Sequence, residues 1–338
     1  MTPLRIATRG SALALAQAQM ILDQCRATFP KLRFEIKIIK TTGDKNLTAS
    51  LAQEGKLLPK GLFTKELEVA LVKGHADLAI HSLKDLPTEL PQGLKLGAVT
   101  KRADVRDVLI YRDAEYLAKQ KSAAQVEEWS PGHSERRGFK PKVTLKELPQ
   151  GATIATSSTR RRDQLLMRRP DLKIVEIRGN VVTRMQKLAD NPKLDALVLA
   201  AAGIGRLNFK ITSTGKLEGD AVPDGLLATI LETETMLPCV GQGAIGIEIR
   251  AADERIGKIC ERLNHFNTLQ CVTAERAFLA AMGGGCASPV GAYAEVAGEQ
   301  LRMKVISFAD GTCRRAEGKR SVKEPEELGK RLAAELKP

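Results

Sequence analysis

The sequence predicts an α/β protein with two similar doubly wound α/β domains around a cleft and a smaller C-terminal α+β domain. Short apolar strands alternate with helices through most of the chain, which indicates largely parallel sheets covered on both faces. This plan occurs twice, because residues 153–156 resemble residues 5–8 and a helix opens after each segment. Beyond residue 290 the pattern changes to an alternating hairpin and a final helix, which favours a third, smaller domain.

The first half of the chain supplies the elements of the first domain in close succession. Ser11 is a natural N-cap for the first helix, which is rich in Ala, Leu and Gln. Apolar residues at 63, 67, 70 and 71 share one face of the second helix. We predict a strand at residues 4–8, a helix at 12–28, a strand at 34–40, a turn at 41–44, a helix at 62–72 and a strand at 78–80.

The second half repeats this plan and then departs from it. In the repeat we predict a strand at residues 153–156, a helix opening at 157–161, a strand at 172–177, a helix at 183–189 and a strand at 196–199. After it we predict a strand at 244–249, a helix up to 262, a helix at 274–282, a hairpin at 290–308 and a final helix at 325–336. We therefore place domain 1 at residues 1–100 and 243–262, domain 2 at 101–242 and domain 3 at 263–338.

One segment, from about residue 119 to 146, interrupts the alternation of strands and helices. It is polar, and its charged residues, glycines and prolines favour a mobile surface loop. Trp129 and Phe139 are the two side chains that could anchor this loop on the body of the protein.

Composition excludes several classes of protein. Of the 338 residues, 43% are hydrophobic and 28% are charged, as in a globular protein, and no stretch is apolar enough to span a membrane. The N-terminus begins with a strand rather than a long apolar signal, so we expect a cytoplasmic protein. The six cysteines and four histidines lack zinc-type spacing, so we expect neither a metal site nor disulfides.

The net charge of +13 indicates anionic partners. Nucleic acid is one candidate, but an aromatic content of 4% leaves few side chains on which bases can stack. A small polycarboxylate or phosphate is the other candidate. Surface charge that serves solubility explains part of the excess.

Arginines at the predicted carboxyl ends of strands point to a site for such an anion. Ligands of open α/β sheets bind at that edge, where helix N-termini offer N–H groups and guanidiniums grip carboxylates. Asp85 occupies an equivalent place, where a carboxylate can stabilise positive charge or move a proton. A helix cap or an ion pair with Lys84 explains Asp85 equally well. The arginines concerned are Arg9, Arg160, Arg161, Arg178, Arg184 and Arg206.

Three consecutive glycines, at positions 283 to 285, precede Cys286 and free the backbone for turns and close approach. A thiol presented on such a loop suits a covalent attachment point or a nucleophile. A buried cysteine beside the C-terminus of a helix is the alternative, and from the loop alone it is the more common case.

Eight segments follow one another along nearly the whole chain in a recognisable order. They are Ile-Ala-Thr-Arg-Gly-Ser-Ala-Leu-Ala at 6–14, Thr-Thr-Gly-Asp at 41–44, Gly-Leu-Phe-Thr-Lys-Glu-Leu-Glu at 61–68, His-Ser-Leu-Lys-Asp-Leu-Pro at 81–87, Thr-Ser-Ser-Thr-Arg-Arg at 156–161, Ile-Arg-Gly-Asn at 177–180, Val-Gly-Gln-Gly-Ala at 240–244 and Gly-Gly-Cys-Ala-Ser-Pro at 284–289. Together these segments resemble the porphobilinogen deaminase family. The chain departs from the family's pattern at Thr159, usually leucine, at Gly283, often acidic, and in longer segments at 119–146 and 208–237.

The resemblance implies a transferase of tetrapyrrole and haem biosynthesis, which joins four porphobilinogen molecules head to tail into hydroxymethylbilane and releases ammonia at each addition. It implies a dipyrromethane cofactor joined to Cys286 through a thioether, with Asp85 as the catalytic residue. The residues that would hold the cofactor are Ser82, Lys84, Thr156, Ser158, Arg160, Arg161 and Arg184. The residues that would bind the substrate are Arg9, Ser11, Arg178 and Arg206. As partner it implies the small-molecule substrate, without nucleic acid or membrane, and the chain is expected to be a monomer.

Two other interpretations come from different classes of protein. A solute-binding protein with two lobes around a hinge, like the periplasmic binding proteins, also fits the paired α/β domains. The missing secretion signal and the cysteine loop argue against it. A nucleic-acid-binding protein fits the basic charge, but the sequence contains no recognisable module for it. Of the three, only the deaminase requires a covalent dipyrrole adduct.

Overall fold

The computed structural model describes residues 2–41, 64–123, 136–285 and 288–337. The chain forms two compact units, Met1–Asp104 with Pro238–Pro338 and Val105–Leu237. Each unit contains a five-stranded sheet with helices, and the first unit also contains a three-stranded antiparallel sheet. The fold is therefore mixed α/β with a smaller antiparallel C-terminal part, as predicted. Our boundaries for three domains stay a prediction.

The first unit contains a sheet whose strands come from both ends of the chain. Its elements are β1 (Leu4–Arg9), α1 (Ala12–Thr28), β2 (Phe34–Ile39), α2 (Lys65–Val72), β3 (Leu78–Ser82), β4 (Leu94–Val99), β12 (Ile245–Arg250) and α7 (Glu254–Leu263). The spatial order of the strands is β2-β1-β3-β12-β4. The strand β1 pairs parallel with β2 and β3, whereas β12 pairs antiparallel with β3 and β4. Four strands thus run one way and β12 runs the other.

Buried apolar side chains cover both faces of this sheet. Ile6 and Leu78 belong to a cluster with residues of α1 and α7, while their neighbours Ala7 and Ala79 belong to a cluster with residues of α2. Because side chains alternate between the faces of a strand, Arg9 lies on the α2 face at the carboxyl end of β1. The parallel pairing of β1 and β3 brings the carboxyl ends of both strands to the same edge of the sheet.

The second unit repeats this arrangement. Its elements are β5 (Asp107–Arg112), α3 (Ala114–Ala123), β6 (Thr153–Ala155), α4 (Thr159–Arg168), β7 (Lys173–Val175), α5 (Val181–Asp190), β8 (Ala196–Ala200), α6 (Ala201–Arg206), β9 (Lys210–Ile211), β10 (Leu217–Glu218) and β11 (Leu226–Leu231). The order of the large sheet is β7-β6-β8-β5-β11, and β9 pairs with β10 in a small separate sheet. Four strands again run one way, and β5 runs the other.

Each sheet therefore has one reversed strand in the same topological place. The strand β5 is the first after the chain passes from the first unit into the second, and β12 is the first after the chain returns. The prediction of largely parallel sheets is confirmed in that four of the five strands in each large sheet run in the same direction. The sequence pattern did not show the reversed strand, because a buried strand is apolar whichever way it runs.

The C-terminal part of the first unit is an antiparallel sheet packed on two helices. Its elements are α8 (Phe266–Ala281), β13 (Val290–Ala297), β14 (Gln300–Ser307), β15 (Arg314–Ser321) and α9 (Pro325–Leu336). The predicted hairpin of β13 and β14 is confirmed, and Gly298 adopts the positive φ of 62° that its turn requires. The third strand, β15, escaped prediction because its sequence, Arg-Arg-Ala-Glu-Gly-Lys-Arg-Ser, is almost entirely polar.

The interpretation of residues 119–146 as one mobile surface loop needs correction at both ends. Lys119 lies in α3. Phe139 anchors the segment as predicted, packing edge-on against Tyr111 with the ring centroids 5.9 Å apart, and Val143 and Leu145 are buried in the same apolar cluster. The few apolar residues at the end of the segment therefore outweigh its polar composition. Trp129 lies outside the described residues.

Candidate active site

Asp85 lies on a short turn directly after β3. The turn is a 3₁₀ helix, Leu83–Asp85. The side chains of Leu83 and Leu86, which are 1% and 3% exposed, anchor it in the apolar core. Asp85 itself is exposed and Lys84 is half-buried. Among the described residues, none forms a hydrogen bond or ion pair with either side chain, so neither the helix cap nor the Lys84 pair that could explain this aspartate is observed.

Two serines and an arginine lie near the same edge of the first sheet. Ser11 caps α1 and accepts a hydrogen bond from the backbone N–H of Ala14 at 3.3 Å, as predicted for an N-cap. Ser82, the last residue of β3, accepts one from the side-chain amide of the buried Gln17 at 2.9 Å. Arg9 ends β1 and is half-buried. The Ser11 hydroxyl keeps its own proton for a further acceptor, whereas the Ser82 hydroxyl donates its proton to the side-chain oxygen of Gln17 at 3.3 Å.

A buried histidine–glutamate pair joins β3 to β12, and it was not predicted from the sequence. His81 Nε2 lies 3.0 Å from an oxygen of Glu248, whose side chain is completely buried. Burial raises the pKa of the nearby Glu68, and the negative charge of Glu248 raises it further. A glutamate within the apolar strand Ile-Gly-Ile-Glu-Ile-Arg was the available signal.

In the second unit, Arg160 and Arg161 converge on one carboxylate. Asp107 accepts hydrogen bonds from Arg160 at 2.8 Å and from two nitrogens of Arg161 at 2.8 and 3.2 Å. All three residues are buried. Burial alone would raise the pKa of Asp107, but the two guanidiniums outweigh it and hold the pKa far below its ordinary range.

This cluster retains an excess of positive charge. Two guanidiniums face one carboxylate, and Arg160 Nε is buried without a hydrogen-bond partner among the described residues. The cluster lies at the start of α4, where Ser158 caps the helix by accepting from the Arg161 N–H. Thr156 accepts a hydrogen bond from the Ser158 N–H at 3.2 Å. A helix N-terminus with a net positive charge favours an anion.

The remaining arginines lie near other strand ends of the second unit. Arg178 follows β7 and forms an exposed ion pair with Glu176 at 3.4 Å. Arg184, in α5, donates from Nε to the carbonyl of Gly179 at 2.8 Å. Arg206 is the last residue of α6, half-buried. These three guanidiniums belong to the same unit as the Asp107 cluster, whereas Arg9 belongs to the first unit.

Cys286 lies outside the described residues, as do the predicted motif positions 42–44 and 61–63. The glycines before Cys286 are described and end α8 as glycines do. The Gly283 N–H donates to Ala280, the Gly284 N–H donates to Leu279, and Gly283 has a φ of 69°. The Gly285 N–H donates to the hydroxyl of Ser288 at 2.8 Å.

Two adjacent residues of α8 also escaped the sequence analysis. The carboxylate of Glu275 is completely buried and accepts from two nitrogens of Arg102 at 2.6 and 3.0 Å and from the backbone N–H groups of Gly241 and Ala294. Arg276 donates to three backbone carbonyls directly after Asp85. Neither role was predictable from the sequence, because Arg102 and the carbonyls that Arg276 binds lie more than 170 residues away in the chain.

The chain matches known families and proteins over nearly its full length. Residues 4–258 match the family model described as porphobilinogen deaminase, dipyromethane cofactor binding domain, and residues 269–338 match the porphobilinogen deaminase C-terminal domain. The chain is 40% identical over 333 residues to the porphobilinogen deaminase of Carboxydothermus hydrogenoformans, covering 98% of this chain and 92% of that protein. It is 42% identical over 333 residues to that of Desulforudis audaxviator, covering 98% and 93%.

Among solved structures, the periplasmic aliphatic sulphonate binding protein SsuA from Escherichia coli matches with a TM-score of 0.36 and 12% identity. The match covers 83% of this chain and 70% of that one. Within the described residues, no helix has the length and apolar character needed to cross a membrane.

Proposed function

The chain belongs to the porphobilinogen deaminase family, and from this premise we propose which of its residues carry out the reaction. The enzyme, a transferase, joins four porphobilinogen molecules head to tail into hydroxymethylbilane and releases ammonia at each addition. It uses a dipyrromethane cofactor. The assignment of individual residues, the covalent link to Cys286, the cytoplasmic location and the monomeric state are our proposals.

The second unit fits an acidic cofactor by its charge. A dipyrromethane carries acetate and propionate groups, and these are anions at neutral pH. The Asp107 cluster has one guanidinium more than it has carboxylates, together with a buried Nε that lacks a partner among the described residues. Arg160, Arg161 and the capped start of α4 would therefore hold cofactor carboxylates. Ser158, Thr156 and Arg184 would add hydrogen bonds, and Ser82 and Lys84 are our further candidates for contacts with the cofactor.

Cys286 would be the attachment point of the cofactor. The flanking glycines end α8, and the Ser288 hydroxyl fixes the backbone of Gly285. When bound, the cofactor would supply the terminal pyrrole carbon to which the first new ring is joined, and each later ring would be joined to the ring added before it. A covalent thioether would keep the growing chain on the enzyme between additions, which avoids its loss to solution.

Asp85 would stabilise the positive charge that develops on the substrate. As the C–N bond of porphobilinogen breaks, ammonia leaves with the bonding electrons and the remaining methylene group becomes electron-poor. A carboxylate that accepts a hydrogen bond from the pyrrole N–H lowers the energy of this state. The new C–C bond then forms, and the attacked ring carbon gives up its proton. Asp85 suits this role because its exposed carboxylate has no hydrogen-bond partner among the described residues.

Arginine side chains would bind and partly neutralise the growing negative charge of the product. Each added ring brings two carboxylates, so the chain that is being built becomes more anionic at every step. Arg9 and Ser11 of the first unit and Arg178 and Arg206 of the second are our candidates for holding the incoming ring. Charge-assisted hydrogen bonds of this kind contribute about 1.5–3 kcal/mol each.

The carboxylate of Asp85, exposed and without a partner among the described residues, is the observation that carries this proposal, and mass spectrometry tests it. After digestion, the peptide that contains Cys286 should carry a dipyrrole adduct. The mass of the intact enzyme should increase by one ring at a time during incubation with porphobilinogen. The Asp85→Ala variant should carry the adduct but fail to extend it. Turnover of this variant at the wild-type rate would refute the catalytic role.

A further inference from the structure

Arg276 lies on α8 and reaches the backbone that follows Asp85. One terminal nitrogen of its guanidinium donates to the carbonyl of Leu86 at 3.1 Å. The other donates to the carbonyls of Pro87 and Thr88 at 2.6 and 3.2 Å. A single side chain thus binds three successive carbonyls, which begin at the residue after Asp85.

These carbonyls belong to a stretch without regular structure. The 3₁₀ helix ends at Asp85, and β4 does not begin until Leu94. Pro87 has no N–H group, so the stretch cannot continue as a hydrogen-bonded helix. The guanidinium is a rigid planar fork, and three acceptors on it restrict the path of this backbone more than a lysine could.

The same helix also holds the turn through apolar contacts. Leu83 and Leu86, on either side of Asp85, belong to one buried cluster with Val272 of α8. Val272 and Arg276 are four residues apart and so share one face of the helix. The turn is therefore attached to α8 in two ways. Leu83 and Leu86 pack with Val272, and the backbone carbonyls that follow Asp85 bind Arg276.

We propose that Arg276 is a positioning residue for the reaction, acting through the backbone to hold the Asp85 turn in place. This inference rests on the proposed role of Asp85. The carboxylate has no hydrogen-bond partner of its own among the described residues, so its position follows from the backbone that carries it. A displacement of about 1 Å in a catalytic group can cost about a hundredfold in rate. Because the guanidinium of Arg276 binds the backbone after Asp85, we expect its loss to lower kcat rather than to raise KM.

The test compares Arg276→Met with a matched control, Arg169→Met. Arg169 also donates to loop carbonyls, those of Leu145, Leu148 and Pro149, but it lies in the second unit and takes no part in the proposed site. At a temperature well below both melting transitions, Arg276→Met should lower kcat by about 10- to 100-fold with KM nearly unchanged. Arg169→Met should keep kcat while its melting temperature falls. Arg276→Lys should recover part of the rate, because it restores one donor to the carbonyls.

A second comparison separates positioning from a general loss of structure. In an Asp85→Glu background, where the carboxylate is already displaced, adding Arg276→Met should lower kcat by about threefold or less. An equal loss in both backgrounds would overturn the inference, and so would a wild-type kcat in Arg276→Met. If Asp85→Glu and Asp85→Ala both turn over like the wild type, the proposed catalytic role of Asp85 fails instead, whatever Arg276 does.

Discussion

One oxygen of Asp107 accepts hydrogen bonds from two nitrogens of Arg161, at 2.8 and 3.2 Å, in a place where both side chains are buried. This contact, together with Arg160 on the second oxygen, fixes the first strand of the second unit to the start of α4. Removing the carboxylate would leave two buried guanidiniums without their counter-ion, which is more costly than losing an exposed ion pair.

Asp107→Asn should therefore lower the free energy of unfolding by about 3–5 kcal/mol at neutral pH. The pKa of Asp107 is lowered by folding, so its stabilising contribution is complete above about pH 4 and is lost as the pH falls further. The difference between variant and wild type should consequently narrow below pH 4. Urea unfolding at pH 7 and at pH 3 measures both values. A difference that stays constant would contradict the assigned charge state.

Asp85→Ala should fold with wild-type stability and carry at least some cofactor, yet barely elongate it. The side chain is exposed and forms no hydrogen bond with a described residue, so its removal costs the fold little. Asp85→Glu should retain partial activity, because the charge survives and only its distance changes. Thermal melting and the rate of porphobilinogen consumption check the two halves of this prediction. A large fall in melting temperature would indicate a structural role.

Cys286→Ser should lack the dipyrrole adduct and nearly all activity. The hydroxyl of serine is a far weaker nucleophile than a thiolate, so the thioether has no counterpart. Cys313→Ser is the matched control, because Cys313 is an exposed free cysteine and should be replaceable without effect. Peptide mass spectrometry after digestion locates the adduct. An adduct on any other cysteine of the Cys286→Ser protein would show that the attachment point is elsewhere.

Arg161→Ala and Arg206→Ala should fail at different stages. Arg161→Ala should give mainly protein without cofactor, and it should melt lower because both the Asp107 contact and the bound cofactor are lost. Arg206→Ala should keep the cofactor and accumulate partly extended species, with losses of about tenfold to a hundredfold. Mass spectra before and after addition of porphobilinogen compare the two. Identical adduct profiles would refute the division of labour.

The Cys286→Ser background separates the two causes of the Arg161 effect. In that protein no cofactor is attached, so Arg161→Ala can destabilise it only through the lost contacts within the protein, those with Asp107 and with the carbonyl of Val198. The fall in melting temperature should therefore be smaller there than in protein with the native cysteine. Equal falls would mean that Arg161 serves the fold alone.

The sequence predicted those features that depend on neighbouring residues. Helix α1 was predicted to the residue, as was α9, because Ser11 and Pro325 are local start signals. Asp85 was found as a candidate because it follows a strand directly. The partners of Asp107, Glu275 and Arg276 were not predicted, since each contact joins segments far apart in the chain.

The candidate arginines show the same difference between what neighbouring residues determine and what distant contacts determine. Their place at strand ends was predictable, but the burial of Arg160 and Arg161 against Asp107 was not. An arginine in the sequence does not indicate whether its guanidinium is buried or exposed. Here the burial depends on the contact of α4 with Asp107 of β5.

The interrupted first unit has a consequence for how the protein is made. The strand β12 lies between β3 and β4 in the first sheet, but the ribosome delivers it only after the whole of Val105–Leu237. The second unit is continuous, so it can complete its sheet while the first sheet still lacks an inner strand. Domains commonly fold from the N-terminus onward during synthesis. Here the second unit, in the middle of the chain, should reach its native state first. Until β12 has been synthesised, the first sheet is incomplete and the edges of β3 and β4 stay unpaired.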